Sequence, residues 1–185
     1  LRPGINRVHW DLREVSSHTP TLRTKPSEHS HVELPDEYFR SSGEGSRVTP
    51  LAPPGSYTVA LHAAGFELVQ PLVLLKDPNS GGSELEIQEQ VTMVREIRES
   101  VDSVVALIDE IEWIRAQTQL VRERNADHAA SEEIREAGGT LEAALIELEM
   151  RLFDVRLTGG TARQDILRWA RRLYARLTSL AGYIT

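Results

Sequence analysis

Apolar residues recur with two different periods along this 185-residue chain, and the change falls near residue 80. Ahead of that point the period is two. Within residues 6–13, Val8, Trp10 and Leu12 fall on one side of an extended chain, which predicts a strand. Residues 56–62 alternate again, with Tyr57, Val59 and Leu61 on one side. Ala63, Ala64 and Gly65 supply a short turn, and residues 66–70 and 72–75 form the return strand. Pro71 has no N–H for a ladder, so it marks an edge or a bulge. The spacing predicts a hairpin. Residues 14–50 show no period and are rich in Ser, Thr, Pro, His and Gly. They read as a long surface loop with a short helical turn at 35–40.

Beyond residue 80 the period lengthens. Ser83 and Glu86 have the spacing of a capping box, in which each residue's side chain takes the other's backbone N–H. Ile87, Val94, Val101 and Ile108 then recur every seven residues, with Ile97, Val104 and Ile111 interleaved three later. That is an a/d seam, and the first helix is expected over about 84–124. Ile114 and Val121 shift the stripe late, and residues 125–128 read as a connection. A second helix is expected over about 132–156, with Ile134, Leu141, Leu145, Leu148, Leu152 and Val155 on one face. Gly138 and Gly139 lie inside it. Gly138 falls on the apolar face, where it permits close approach of a neighbour, or else the helix restarts at Thr140. A third helix is expected over about 162–184, opened by Thr161 and Gln164 as a second capping box. Its expected buried face is Ile166, Ala170, Leu173, Leu177, Leu180 and Ile184. Three amphipathic helices with short links predict an antiparallel three-helix bundle.

Composition sharpens the boundary. All nine prolines precede residue 79, and residues 77–82 form a run of turn formers. The expected division is a β region at 1–79 and a helical bundle at 80–185, an α+β architecture. The net charge of −7 argues against nucleic-acid binding by bulk electrostatics. Cys is absent, which removes disulfides, thiolate metal sites and cysteine nucleophiles. No run of about 20 apolar residues is present to span a membrane. The chain opens on Leu1 without Met or a signal peptide, so it is expected to be a processed product or part of something longer.

Chemistry-bearing groups are few. His29 and His31 flank each other beside Glu28 and Glu33, but a metal needs a third converging ligand, and they read as a solvated loop. Asp109, Glu110 and Glu112, Glu132 and Glu133, and Glu147 and Glu149 are carboxylate clusters, read as charged outer helix faces. No Ser lies in a nucleophile elbow and no glycine run has phosphate-loop spacing. No catalytic, cofactor-binding or metal-binding residue is expected. The third helix carries Arg163, Arg168, Arg171, Arg172 and Arg176 against one Asp165. These arginines read either as an anionic-ligand or nucleic-acid patch or as partners of the Glu-rich faces of the first two helices or of a neighbouring domain, the latter being favoured. Trp10, Trp113, Arg168, Arg171 and Arg172 are therefore the candidate interaction surface.

Four segments, in order, resemble a known family. The run Gly4-Ile5-Asn6-Arg7-Val8-His9-Trp10-Asp11-Leu12-Arg13 is similar to a strand of bacterial sortilin-like, neuraminidase-repeat β-propeller proteins, often labelled glycosyl hydrolases. Pro53-Pro54-Gly55-Ser56-Tyr57-Thr58-Val59 resembles another of their strands. Gln70-Pro71-Leu72 and Lys76-Asp77-Pro78-Asn79 resemble the exit into their helices, and Leu173-Tyr174-Ala175-Arg176-Leu177 with Leu180-Ala181-Gly182-Tyr183 their closing helix. The resemblance implies a partial Ig-like β-sandwich at 1–79, followed by the bundle, behind a propeller that this chain lacks. A sandwich of this type uses about seven strands, so three strands imply that the opening ones come from elsewhere. It also implies an exported parent, periplasmic or extracellular. Two functions follow as expectations. One is a non-catalytic accessory and interaction region, partnered by the preceding propeller and Ig-like strands or by a second copy. The other is a supporting fragment of a glycoside hydrolase whose site lies in the propeller.

Overall fold

The structure is a computed structural model that describes residues 4–29, 31, 42, 47–158 and 169–184. The elements are β1 (Gly55–Ala63), β2 (Phe66–Leu74), α1 (Glu84–Arg124), α2 (Ser131–Leu152) and α3 (Leu173–Ile184). The fold is α+β: a two-stranded antiparallel hairpin followed by three helices packed together. No Ig-like sandwich is formed among the described residues.

The hairpin forms where the alternation placed it. Its register runs from Gly55 opposite Leu74 to Ala63 opposite Phe66. Ala64 and Gly65 make the turn with φ of 50° and 80°. Two consecutive positive φ values define the tight turn whose twist matches that of paired strands. Pro71 does not break β2; it sits inside it, opposite Thr58.

The strand expected at residues 6–13 is not formed. Arg13 alone makes a bridge, antiparallel to Leu51. Two flanking bonds share that register, Glu14 N–H to the Pro50 carbonyl at 2.9 Å and Ala52 N–H to the Leu12 carbonyl at 2.8 Å. The ladder cannot continue past this point. Leu12 has a φ of 62°, which turns the chain away. The next positions on the facing side are Pro53 and Pro54, which have no N–H to offer.

The expected surface loop at 14–50 is also corrected over its described residues. Residues 14–27 run extended along α1, with Ser17, Pro20, Leu22, Thr24 and Pro26 buried. The helical turn expected at 35–40 lies outside the described residues. Residues 47–52 return beside 12–17, where Ser17 N–H donates to the Val48 carbonyl.

Helix α1 follows its sequence signals closely. The Ser83 hydroxyl accepts from Glu86 N–H, and the Glu86 carboxylate accepts from Ser83 N–H at 2.7 Å. Val94, Ile97, Val101, Val104, Ile108 and Ile111 are all buried. All of these but Ile111 join Leu22, Val48, Phe153, Leu157, Tyr174 and Ala181 in the centre of the core.

Helix α2 lies antiparallel to α1, as the pairings of Arg115 with Glu149 and Arg122 with Glu142 require. It runs unbroken through Gly138 and Gly139. A Cβ at position 138 would lie 2.6 Å from Arg122 Cδ, so the glycine does admit a close neighbour. The helix ends at Leu152, short of the expected 156, because Phe153 turns extended at φ −144° and ψ 146°. Val155, expected on the helical face, is instead buried in the following segment, together with Phe153 and Leu157.

Helix α3 differs most. Residues 169–172 are not helical, and the helix begins at Leu173. Residues 159–168, including the expected second capping box and Ile166, lie outside the described residues. The buried face is Tyr174, Ala175, Thr178 and Ala181, while Leu173 and Leu180 are exposed. Small residues on that face let α3 approach α1 closely, and the leucines flank the contact. Leu177 and Ile184 pack at its margin. The Gln90 amide donates to the Ile184 carbonyl, so α3 also runs antiparallel to α1.

Candidate interaction surfaces

Four side chains of α1, Arg95, Asp102, Asp109 and Glu112, hold the extended segment. Glu14 pairs with Arg95 at 2.5 Å. The Asp102 carboxylate accepts from His18 N–H at 2.7 Å, and Asp109 from Thr21 N–H at 2.6 Å. Glu112 accepts from Arg23 N–H at 2.5 Å and from Thr24 N–H at 2.7 Å. Arg95, Asp102 and Asp109 are seven apart, so they stand in one row. From Arg95 to Glu112 the helix rises about 25 Å. From Glu14 to Arg23 an extended chain covers about 30 Å, so the two rows keep step. Asp109 and Glu112, expected on a solvated outer face, are thus corrected to a carboxylate ladder that satisfies backbone donors.

The ladder ends in a buried charge cluster. Arg115 donates through Nη1 to Glu112 at 2.9 Å and to Glu149 at 2.7 Å. The Thr24 hydroxyl donates to Glu112 at 2.7 Å. Glu112 and Glu149 are fully buried and Arg115 almost so. Two buried carboxylates therefore share one guanidinium. Burial, and then the charge of Glu112, push the Glu149 carboxyl up to about 8. At neutral pH it holds a proton, which removes the excess negative charge. The Glu149 Oε1 atom has no hydrogen-bond partner among the described residues. Buried throughout, the cluster serves as a three-way joint between residues 23–24, α1 and α2. Sequence reading placed Glu149 on an outer face. Its one signal was position: it follows Leu145 by four residues, on the same face as Leu152.

The four described residues of the expected surface, Trp10, Trp113, Arg171 and Arg172, are scattered. The Trp10 indole N–H donates to the Arg13 carbonyl at 2.9 Å, and its ring meets Tyr57 edge-on at 5.9 Å. Trp113 is 54% exposed and lies beneath the Arg23 guanidinium, 5.3 Å from its ring centre. Arg171 donates to the Ser179 hydroxyl at 2.8 Å. Arg172 pairs with Asp154 at 3.4 Å. Arg168 and Arg163 lie outside the described residues. Among the described residues, Arg171 and Arg176 bond within their own segment, and Arg172 shares the buried Asp154 with Arg156 rather than meeting a Glu-rich face of α1 or α2. Burial pushes the Asp154 carboxyl up, but the hydrogen bonds and charges of Arg156 and Arg172 outweigh it and hold the group below the usual range. The His29 and His31 rings meet edge-on at 5.7 Å, and no metal-binding group of three ligands occurs among the described residues.

The surface that stands apart is apolar and belongs to the β region. Tyr57, Val59, Leu61, Phe66, Leu68, Leu72 and Leu74 share one face of the hairpin by register, with Gln70 the polar residue among them. Phe66 is 74% exposed and Leu68 61% exposed. Ile5 and Val8, just ahead, are 98% and 91% exposed. At the base of the hairpin this surface opens into a pocket of about 280 Å³ lined by Leu12, Leu51, Leu74, Ile87, Val91 and Val94. Monomeric soluble proteins seldom leave so continuous an apolar patch to water. No helix of the described residues is long and apolar enough to cross a membrane.

Comparison with family models, with curated proteins and with solved structures gives no match.

Proposed function

We propose that this chain is a non-catalytic accessory and interaction region from the C-terminal end of a large exported β-propeller protein. Its hairpin is one layer of an Ig-like sandwich, and strands from the preceding segment of that protein form the layer that covers its apolar face. The observation that carries this reading is the bare apolar face of the hairpin, continuous with the exposed residues 5–12. A sheet of two strands is marginal on its own, and such a face needs cover. The helical bundle does not supply it, since α1 packs on α2, α3 and residues 14–27. The four segments that resemble propeller proteins support the same assignment.

The chemistry agrees with an interaction role. Of the paired carboxylates, Glu112 and Glu149 are buried against Arg115 and Asp109 is bound to a backbone donor, while Glu110, Glu132, Glu133 and Glu147 lie exposed on helix surfaces. The test is to isolate the protein as the cell makes it and measure its intact mass and N-terminal sequence. A mass well above 20.7 kDa, with a propeller preceding residue 1, is expected. A native product of this length that hydrolyses a chromogenic glycoside would overturn the proposal.

A further inference from the structure

The two edges of the hairpin are not equivalent, and the turn reveals which is open. A two-residue turn closes on a hydrogen-bonded pair, here Ala63 and Phe66. Antiparallel pairs then alternate between bonded and non-bonded. Residues 55, 57, 59, 61 and 63 therefore bond inward to β2, and Ser56, Thr58, Ala60 and His62 aim their N–H and C=O groups outward. On β2 the outward residues are Glu67, Val69, Pro71 and Val73.

The β2 edge is consequently defended. Pro71 has no N–H to offer, and Glu67 places a charge on the row. Both are devices by which natural sheets block edge pairing. The β1 edge has neither. It runs nine residues without Pro, Lys, Arg, Asp or Glu, and its outward residues are all exposed. No hydrogen bond occupies these outward groups among the described residues.

We propose that the β1 edge pairs antiparallel with the same edge of a second copy of this chain, about a two-fold axis at Val59. The strand is self-complementary in that register. Thr58 bonds Ala60 of the second copy and Ser56 faces its His62. On the apolar face Tyr57 meets Leu61 and Val59 meets Val59, so the two hairpins form one four-stranded sheet with a largely apolar side that includes Gln70 of each copy. No like charges are brought together, because the strand carries no acidic or Lys/Arg side chain. The chain's own residues 5–11 are a poorer occupant. Extending the Arg13–Leu51 register would place Val8 beside Ser56, on the opposite face from Tyr57 and Val59. This concerns the edge of the hairpin and leaves its face free for the strands invoked above.

The chain has no Cys, so a single introduced thiol reports the geometry. Val59 would face its own copy as a non-hydrogen-bonded pair, with Cα atoms about 4.5 Å apart, within disulfide range. Val59→Cys should therefore form a disulfide-linked dimer under mild oxidation. Gln70→Cys, at the matching position on β2, should not. Thr58→Pro removes one outward N–H and leaves the β1–β2 bonds intact, so it should turn the wild-type dimer into a monomer by sedimentation velocity. Circular dichroism of that variant should keep the helical signal. A monomeric wild-type chain, equal crosslinking of the two Cys variants, or a Thr58→Pro variant that stays dimeric would each overturn the proposal.

Discussion

A single carboxyl sets much of the pH behaviour expected of this protein. Glu149 titrates near 8 in the fold against 4.5 in the open chain. Between those values the unfolded state gives up a proton that the folded state keeps. Stability from this group is therefore fully present below pH 4.5 and falls as pH rises towards 8. The slope is of order 1 kcal/mol per pH unit. Glu149→Gln, neutral at every pH, should flatten it, and urea melts across pH 5 to 8.5 will read the difference. Asp154 acts in the opposite sense and elsewhere. Its lowered pKa makes stability that is lost only as pH falls below about 3.8. The two glycines of α2 form a second contrast. Gly139 has nothing near its missing Cβ, so Gly139→Ala should stabilise by about 0.5–1 kcal/mol. At Gly138 the same change meets the Arg122 stem, and thermal melts should show that gain lost or reversed.

Among the elements, α1 is where sequence and structure agree most closely. Its seam from Val94 to Ile111 is both the pattern that predicts the helix and the larger part of what the helix buries, while Ile87 at its start is only partly buried. Val101→Asp at its centre should cost roughly 3 kcal/mol or more, and Glu99→Ala on the exposed face well under 1 kcal/mol. Equal losses in thermal denaturation would contradict the packing described here. The segment along α1 was not legible. Its buried positions do alternate, at Pro20, Leu22, Thr24 and Pro26, but only Leu22 is strongly apolar. Its anchors are carboxylates more than 80 residues away, and no local pattern reports them. Leu22→Ala should cost about 2–5 kcal/mol, whereas a solvated loop would lose almost nothing. The face of α3 escaped for a related reason. Leucine periodicity marks apolar residues, but a closely approaching helix buries its small ones, and Ala175, Thr178 and Ala181 fill that role. The failed strand at residues 6–13 has the right alternation, yet Leu12 and the facing Pro53 and Pro54 stop the ladder. The candidate surface shows the same division. Trp10 could be located from its place in an apolar alternation. The buried joint of Glu112, Arg115 and Glu149 depends on contacts between helices that neither helix's sequence displays alone.

At the scale of the molecule, the two regions differ in how complete they are. The bundle buries its seam and holds residues 14–27 against α1 by a row of directed bonds. The hairpin leaves Val59, Leu61, Phe66, Leu68 and the preceding Ile5 and Val8 in water. The central claim is that this face is finished by strands outside the chain, and hydroxyl-radical footprinting tests it most directly. Modification of Phe66 and Leu68 should be measured in this chain alone and in the protein as the cell makes it. Both side chains should react readily in the isolated chain and become strongly protected in the native protein, while exposed Trp113 on α1 serves as a reference. Equal reactivity of Phe66 and Leu68 in the two forms would contradict the account.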